Sequence, residues 1–262
     1  MDERLKKLVD DSNNIVFFGG AGVSTESNIP DFRSENGLYS AKSEYGVSPE
    51  EILSHSFFMN RTKTFYDYYW KYIIHREAQP NRAHRALAKL EKMGKLKAVI
   101  TQNIDGLHQM AGSEKVYELH GSTMRYNCMN CCRSYDLDFA ADPAHQADGI
   151  PRCPVCGGII KPDVVLYEEP LDGYQIDGAV SAISQTDLLI VGGTSLVVYP
   201  AAGFIRYFRG RNMVLINKQP TAYDSQADLV IHDSIGAVLD LDREQQTAKN
   251  FSEEGKSGSS ST

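Results

Sequence analysis

Four cysteines in the middle of the chain have the spacing of a zinc site. Cys128 and Cys131 form one C-x2-C pair, and Cys153 and Cys156 form a second pair after 21 intervening residues. Each pair can present two thiolates from one tight turn, so two pairs complete the tetrahedron that Zn²⁺ prefers. Four sulfur ligands leave no position for water, and we therefore expect a structural metal. Cys132 could replace Cys131, but the C-x2-C spacing favours Cys131 and leaves Cys132 as an ordinary thiol.

One histidine, His120, stands eight positions before the first of these cysteines. The four sulfurs already complete a zinc site, so His120 is not needed as a ligand. It follows the apolar segment VYEL, residues 116–119, which has the character of a short strand. Ligands of parallel α/β sheets bind beyond the carboxyl ends of the strands. We therefore expect His120 to belong to a ligand site and the cysteines to be scaffold.

Polar side chains also follow three other apolar segments. TQNIDG (101–106) ends one of them, Gly193-Thr194-Ser195 ends a second, and Asn217 ends a third. Any one of these groups could be a helix cap or a turn, which is the commoner role for such residues. Together they are better explained by a single polar site at one edge of a sheet.

A glycine turn, Gly20-Ala21-Gly22, follows the apolar segment NNIVFF. Small residues after a strand let backbone N–H groups approach a pyrophosphate. The usual dinucleotide fingerprint has a third glycine where this chain has Thr25, so the turn alone is equally compatible with a plain strand-to-loop connection. Pro30 limits any helix, and the polar stretch beyond it resembles a loop that closes over a ligand. Arg33 could bind a phosphate or be an ordinary surface residue.

The elements that must position these residues alternate along the chain. Continuous apolar segments predict strands at 13–20, 96–101, 116–119, 187–193, 212–217 and 227–231. Helical patterns precede or separate several of them, at Leu5-Leu8-Val9, HRALAKLEKMG (84–94) and YQIDGAVSAISQ (174–185). Continuous strands separated by helices indicate a parallel sheet covered on both faces. The fold class is therefore α/β, in a doubly wound nucleotide-binding architecture.

Two segments interrupt the alternation. Residues 34–80 are polar and aromatic and include the aromatic helical pattern FYDYYWKYI, and residues 122–158 hold all the cysteines. We interpret both as insertions that form a smaller second domain. The large domain is then built from residues 1–33, 81–121 and 159–242. The tail at 243–262 lacks an apolar face that could pack, and we expect it to be disordered.

Charge and composition exclude several classes of function. The 262 residues include 27 Lys plus Arg and 34 Asp plus Glu, a net charge of −7. This balance argues against non-specific nucleic-acid binding and suits basic partners such as lysine-rich protein tails. The charged start MDERLKKLVDD lacks the apolar region of a signal peptide, and no apolar run approaches the ~20 residues of a membrane span. We expect a cytoplasmic protein with no membrane partner, whose thiols bind metal rather than form disulfides.

The chain resembles the sirtuins, which are NAD-dependent protein lysine deacylases, in their short bacterial-type form. The resemblance rests on motifs that occur in order over residues 12–240: GAGVSTESNIPDFRS, TQNIDGLHQMAG, ELHGS, the two C-x2-C pairs, KPDVVLYEE, GTSLVVYPAA and VLIN. It implies a Rossmann-like large domain and a small domain made of the zinc module and a helical insertion. NAD and an acyl-lysine peptide would meet in the cleft between the two.

The resemblance also implies which residues bind NAD. The cofactor loop is matched by Ala21, Thr25, Phe32 and Arg33. The ribose and nicotinamide pocket is matched by Gln102, Asn103, Ile104 and Asp105. The adenosine half is matched by Thr194, Ser195 and Asn217, and by its position Ile235 closes the adenine pocket.

His120 matches the general base of the family, and Asn103 is the second catalytic candidate. In sirtuins the acyl oxygen of the modified lysine attacks C1′ of the nicotinamide ribose, which expels nicotinamide and leaves an alkylimidate. The base then activates a ribose hydroxyl to attack the imidate carbon, and water completes the release of lysine and O-acyl-ADP-ribose. An imidazole suits this step because its ordinary pKa of about 6.5 leaves it mostly neutral near pH 7.

The resemblance places the substrate peptide between two strand-like segments. One is Val164-Val165-Leu166, and the other begins with Leu196-Val197 and extends to Tyr199. Pairing through backbone hydrogen bonds recognises little side-chain sequence, so we expect broad substrate choice.

The chain departs from the family pattern at several points. Asn28 stands where many sirtuins have glycine, Leu166 where they have phenylalanine, and Glu168 where they have glycine. Asparagine tolerates positive φ, so the turn at Asn28 can survive. Members that remove acidic acyl groups carry Tyr-x-x-Arg, whereas this chain has Tyr66-Asp67-Tyr68-Tyr69. We therefore predict acetyl or longer uncharged acyl substrates.

Three other functions compete with deacylation. The same NAD site could transfer ADP-ribose to protein. A non-catalytic sensor of NAD or ADP-ribose could use the zinc module to bind a partner, but Asn103, Asp105 and His120 argue against it, because binding alone requires no base. A dehydrogenase with structural zinc fits least well, because the glycine loop departs from G-x-G-x-x-G.

Overall fold

The computed structural model describes residues 1–30 and 44–241. Its strands are β1 (Ile15–Gly19), β2 (Leu96–Thr101), β3 (Val116–Glu118), β4 (Gly121–Cys128), β5 (Ser134–Asp136), β6 (Gln146–Ala147), β7 (Ile150–Pro151), β8 (Ile160–Val164), β9 (Leu188–Gly192), β10 (Asn212–Ile216) and β11 (Leu229–Ile231). Its α-helices are α1 (Glu3–Asp10), α2 (Pro49–Ile52), α3 (His55–Asn60), α4 (Thr62–Tyr68), α5 (Arg82–Lys92), α6 (Leu107–Met110), α7 (Leu137–Ala141), α8 (Gly173–Gln185) and α9 (Ile235–Leu239). A π-helix spans Tyr69–Ile73, and 3-10 helices span Ala21–Val23, Thr25–Ser27, Pro143–His145, Ala201–Tyr207 and Asp224–Gln226.

Six strands form one parallel sheet in the order β11-β10-β9-β1-β2-β3. The chain builds outward from β1 through β2 to β3 on one side, and from β9 through β10 to β11 on the other. The order therefore reverses between β1 and β9, and a ligand crevice is expected beyond the carboxyl ends of these two strands. The predicted doubly wound, Rossmann-like α/β fold is confirmed.

Both faces of the central strands β1 and β9 are buried, which explains why these strands are continuously apolar. In β1, Ile15 and Phe17 point into one hydrophobic cluster, and Val16 and Phe18 point into another. Helices α1, α5 and α9 cover the first face. Helix α8 and the 3-10 helix at Ala201–Tyr207 cover the second.

A third hydrophobic cluster unites the helical segment that starts near residue 45 with the cysteine-containing segment. Its β component is the antiparallel sheet β5-β4-β8, accompanied by the hairpin β6-β7. Tyr69 stacks on Phe65, with ring centroids 5.5 Å apart, and its hydroxyl lies 3.3 Å from that of Tyr126 on β4. The Tyr66 hydroxyl donates to the carbonyl of Ile160 on β8. The aromatic helix therefore packs as core, while the predicted domain boundaries stay a prediction.

Within the described ranges, the search for membrane-spanning helices finds none that is long and apolar enough. The predicted tail at 243–262 lies outside the described residues.

Candidate active site

A cavity of about 650 Å³ lies between the carboxyl ends of the parallel strands and the β8 segment, which we define as residues 160–167, that is, β8 of the smaller sheet and the three residues after it. Residues that are distant in sequence line it together. Six of them are expected NAD-binding or catalytic residues, namely Ala21, Gln102, Asn103, Ile104, Asp105 and His120. From the expected peptide segments come Val164, Val165, Leu166, Val198 and Tyr199.

His120 occupies the point where the chain leaves the parallel sheet for the antiparallel one. Gly121 has φ 77°, and a Cβ there would lie 2.0 Å from the carbonyl oxygen of Asp163, so only glycine fits this crossing. The backbone oxygen of His120 accepts a hydrogen bond of 2.9 Å from the amide of Val165. The histidine and the β8 segment are thus fixed relative to each other.

The hydrogen bond made by the His120 ring determines its tautomer. Nδ1 lies 2.9 Å from the backbone oxygen of Gln102. A carbonyl oxygen can only accept, so Nδ1 donates, and the lone pair of the neutral imidazole is on Nε2. A histidine that accepts a proton from a ligand at Nε2 requires this tautomer, in which Nε2 is unprotonated.

Asn103 and Asp105 are joined through Ser24. The Asn103 side-chain amide donates to Ser24 Oγ over 2.9 Å, and Ser24 Oγ donates to Asp105 Oδ2 over 2.6 Å. The second oxygen of Asp105 accepts from the amide of Leu107 at 2.9 Å. Ser24 was not among the predicted site residues, although it lies within the GAGVSTES motif. Its role depends on a contact 81 positions away in the chain.

The two glycines of the turn pack against the end of β9 and the residue that follows it, and their amides are bonded there. The Gly22 amide donates to the oxygen of Gly193 at 2.8 Å, and the Gly20 amide donates to that of Gly192 at 3.2 Å. A Cβ on Gly22 would lie 2.7 Å from the Gly193 Cα. The expectation that small residues here free the amides for a pyrophosphate is wrong for these two glycines, whose requirement is close backbone packing.

Of the remaining expected NAD residues, those that the structure describes do not line the His120 cavity. Thr194 Oγ1 accepts from the Gln102 side chain at 3.2 Å, so this threonine is linked to the cavity wall. Thr25 donates to the Gly22 oxygen, the Asn217 side chain donates to the Gln219 oxygen, and Ser195 is exposed. Ile235 is buried in the first core cluster. Phe32 and Arg33 lie outside the described residues.

The two remaining residues of the expected peptide segments differ in exposure. The Leu196 side chain is buried in the second core cluster, and this residue has φ 57°. Val197 is 64% exposed. Asn28, the predicted tolerant position in the first loop, has φ 62°.

The four predicted cysteines converge. Their sulfurs all lie within 4.8 Å of one another, with Cys128 3.4 Å from Cys156 and Cys131 3.6 Å from Cys153. A disulfide would require about 2.05 Å. Four sulfurs bound to one Zn²⁺ at about 2.3 Å would lie about 3.8 Å apart, so this cluster fits the metal. Cys132 is outside the cluster, and its amide donates to the Cys128 oxygen at 2.9 Å.

Two histidines, His84 and His108, are buried side by side in the protein interior. Their rings meet edge to face, with centroids 4.7 Å apart. His84 Nε2 and both ring nitrogens of His108 have no hydrogen-bond partner among the described residues. Burial lowers the pKa of His84 to about 4, and it lowers the pKa of His108 well below its ordinary value.

We predict that this pair makes folding stability sensitive to acid. Both folded-state pKa values lie below the unfolded value of about 6.5, so the unfolded chain binds more protons as the pH falls. The free energy of unfolding should therefore fall below about pH 6.5, by up to about 1.4 kcal/mol per pH unit for each histidine. Urea unfolding between about pH 7 and pH 5 measures the slope, which His108→Leu should reduce. A profile that is flat in both proteins would contradict the prediction.

The chain matches the profile of a protein family and is similar in sequence to bacterial proteins. The profile of the Sir2 family matches residues 20–200. An NAD-dependent protein deacetylase of Clostridium acetobutylicum is 62% identical over 236 residues, which cover 90% of this chain and 95% of the relative. An NAD-dependent protein deacetylase of Clostridium tetani is 60% identical over 241 residues, 91% of this chain and 96% of the relative.

Solved structures show the same fold. One described as "Sir2 bound to acetylated peptide" has 33% identity and a TM-score of 0.81, covering 94% of this chain and 99% of its own. Another, described as "Sir2-p53 peptide-NAD+", has 34% identity and a TM-score of 0.82, covering 95% and 99%.

Proposed function

The chain belongs to the Sir2 family and is an NAD-dependent protein deacetylase, and from this premise we propose a role for each part of its site. The reaction removes acetyl groups from protein lysines and yields nicotinamide, O-acyl-ADP-ribose and free lysine. His120 is the general base. The observation that carries this proposal is the hydrogen bond from His120 Nδ1 to the Gln102 oxygen, beside Asn103 and Asp105 in one cavity.

The bond to Gln102 serves His120 both before and after proton transfer. It keeps the lone pair on Nε2, where a ribose hydroxyl can lose its proton. After transfer the ring is cationic, and a carbonyl oxygen that accepts from Nδ1–H stabilises the charge. NAD supplies the ribose carbon that receives the acyl oxygen and the hydroxyl that finally carries the acyl group.

Asn103 is the second catalytic residue, and Ser24 and Asp105 position it. The chain of hydrogen bonds from Asn103 through Ser24 to Asp105 fixes the amide at the cavity wall. The other NAD contacts are the residues that match the family motifs, namely Ala21, Thr25, Phe32, Arg33, Gln102, Ile104, Asp105, Thr194, Ser195, Asn217 and Ile235. Because Ile235 is buried, it supports the adenine side from within the core.

The acyl-lysine peptide lies between the β8 segment and the segment after β9. Val164, Val165 and Leu166 provide one edge, and Leu196 and Val197 begin the other. Leu196 contributes through its backbone because its side chain is in the core, whereas exposed Val197 contacts the peptide directly. Val164, Val165 and Leu166 share the cavity with His120, and the second segment reaches it through Val198 and Tyr199, which supports this placement.

The enzyme carries one structural zinc, which we assign to the four clustered cysteines. The predicted division into a large domain (1–33, 81–121 and 159–242) and a small domain (34–80 and 122–158) is part of the proposal. The third hydrophobic cluster supports the union of the two insertions, and it also includes Ile160, Val164 and Leu166 from the start of the 159–242 segment. We also propose a cytoplasmic location, where reducing conditions keep zinc-binding thiols reduced.

We predict that acidic acyl groups are poor substrates. Tyr66 and Tyr69 are buried in the third cluster, and Tyr66-Asp67-Tyr68-Tyr69 offers no cation. Arg76 lines the cavity, but its guanidinium is bonded to Asp138. A buried carboxylate without a partner should lower kcat/KM for a succinyl-lysine peptide about tenfold relative to its acetyl counterpart.

Matched peptides that differ only in the acyl group measure this ratio by mass spectrometry. Arg76→Gln is the control variant, and its acetyl-to-succinyl ratio should equal that of the wild type. A wild-type enzyme that processes the succinyl peptide faster would contradict the prediction.

Incubation of an acetyl-lysine peptide with and without NAD tests the proposed function itself. Loss of the acetyl group only in the presence of NAD, with nicotinamide released, is the expected result. An intact acetyl-peptide together with ADP-ribose attached to protein would instead indicate ADP-ribosyl transfer. An intact peptide with neither product would indicate NAD sensing.

A further inference from the structure

Glu168 adopts a backbone conformation that is unusual for its residue type. Its φ is 77°, in the left-handed region that favours glycine. It directly follows Tyr167 at the end of the segment that carries Val164, Val165 and Leu166. Because Cβ crowding makes this conformation unfavourable for glutamate, other contacts must hold the residue there.

The Glu168 carboxylate makes these contacts with the helical insertion. One oxygen accepts from the Ser56 amide at 2.8 Å, and the other accepts from the Ser56 hydroxyl at 2.9 Å. Ser56 lies in the first turn of α3. A glycine at position 168 would relieve the backbone but could make neither bond.

The backbone continues the attachment beside Glu168. The His55 amide donates to the Tyr167 oxygen at 2.9 Å, and the Tyr167 amide donates to the Leu53 oxygen at 3.0 Å. Ser54 and Tyr167 therefore form a parallel bridge. Leu53 and His55, on either side of Ser54, are thus bound to Tyr167 at the end of the β8 segment.

Glu169 secures the same segment from within. One of its oxygens accepts from His55 Nδ1 at 2.9 Å. The other lies 3.1 Å from Lys161 Nζ and accepts from the Leu166 amide at 2.8 Å. Glu168 therefore binds the segment to Ser56 of the helical insertion. Glu169 binds it through His55, Lys161 and the Leu166 amide.

We infer that Glu168 is a positioning residue for substrate: its bonds to Ser56 hold the segment 164–167 in the shape that pairs with the acyl-lysine peptide. The inference rests on the proposed function, because it takes Val164, Val165 and Leu166 as the peptide edge. The bond from the Val165 amide to the His120 oxygen fixes one end of this segment. Glu168 fixes the other end, so the edge is formed before the peptide arrives, which lowers the ordering cost of binding.

Three substitutions at position 168 separate the loss of the hydrogen bonds to Ser56 from the relief of the backbone strain. Glu168→Gly and Glu168→Asn both tolerate positive φ, but neither side chain reaches Ser56 as glutamate does. Glu168→Gln keeps the length and one acceptor oxygen. We expect the peptide KM to rise about tenfold in the Gly and Asn variants and much less in the Gln variant, with kcat and the KM for NAD close to wild type. Ser56→Ala removes one of the two bonds and should give an intermediate peptide KM.

Glu114→Gln is the control for loss of a negative charge, because Glu114 is exposed and lies in the loop before β3. Its peptide KM should match that of the wild type. A peptide KM in Glu168→Gly and Glu168→Asn equal to the wild-type value would overturn the inference, as would a loss confined to kcat. Fluorescence anisotropy of a labelled acetyl-lysine peptide gives its Kd without turnover. Failure of the proposed function would instead appear as absence of deacetylation in the wild type.

Discussion

Replacing His120 with alanine should reduce the rate of acetyl release by a factor of about 10² to 10⁴, the range that a positioned general base contributes. The reason is local. Nδ1 is bonded to the Gln102 oxygen, so Nε2 carries the lone pair, and alanine supplies no substitute at that point of the cavity. His120 is also partly exposed rather than a core residue, so the variant should fold. Mass spectrometry of an acetyl-lysine peptide with NAD measures the rate.

A second readout separates a base from a residue that merely shapes the cavity. Expulsion of nicotinamide precedes the proton transfer assigned to His120. Incorporation of labelled nicotinamide into NAD should therefore fall less than acetyl release in His120→Ala. His75→Ala is the matched control, because His75 lines the same cavity and has no proposed role in catalysis. Acetyl release near the wild-type rate in His120→Ala would remove His120 from the mechanism.

Loss of one zinc ligand should abolish both metal binding and activity. Structural zinc contributes about 10–16 kcal/mol to folding in zinc-finger peptides, which exceeds the stability of most domains. Cys128 ends β4, and β4 pairs with β8, whose last residue, Val164, begins the proposed peptide edge. Cys153→Ser should therefore lose its zinc, unfold the small domain and bring deacetylation to the background rate.

Cys132→Ser provides a control from the same turn. Its sulfur is outside the four-sulfur cluster, so this variant should keep one zinc per chain and retain its activity. Metal content by mass spectrometry and thermal unfolding by circular dichroism measure both variants. A Cys153→Ser protein with full zinc content and a wild-type Tm would show that the assignment of ligands is wrong.

Features that arise from a local pattern of residues, such as a run of apolar side chains or a fixed spacing of cysteines, were predictable from the sequence. The continuous apolar runs of β1, β9 and β10 result from burial on both faces, so their pattern alone predicts the parallel sheet. The zinc site follows from ligand spacing in the same way. His120 followed from its place at the end of a strand, since topology brings the strand ends together.

Features that depend on contacts between distant segments were not predictable. Ser24 becomes part of the site only because β1 and β2 are neighbours, which brings it to Asp105. Gly20 and Gly22 suggested ligand-facing amides, but the approach of the β9 loop determines their use. The left-handed Glu168 was visible only as a departure from glycine. Its bonds to Ser56, 112 positions away, give that departure a physical reason.

The central claim is that the acetyl group leaves lysine by transfer to the sugar of NAD. Single-turnover mass spectrometry with a trideuterated acetyl-lysine peptide tests it most directly. We predict that the deuterated acetyl group appears on ADP-ribose, in amounts equal to the lysine freed and the nicotinamide released. Deuterated free acetate formed while NAD stays intact would contradict the account.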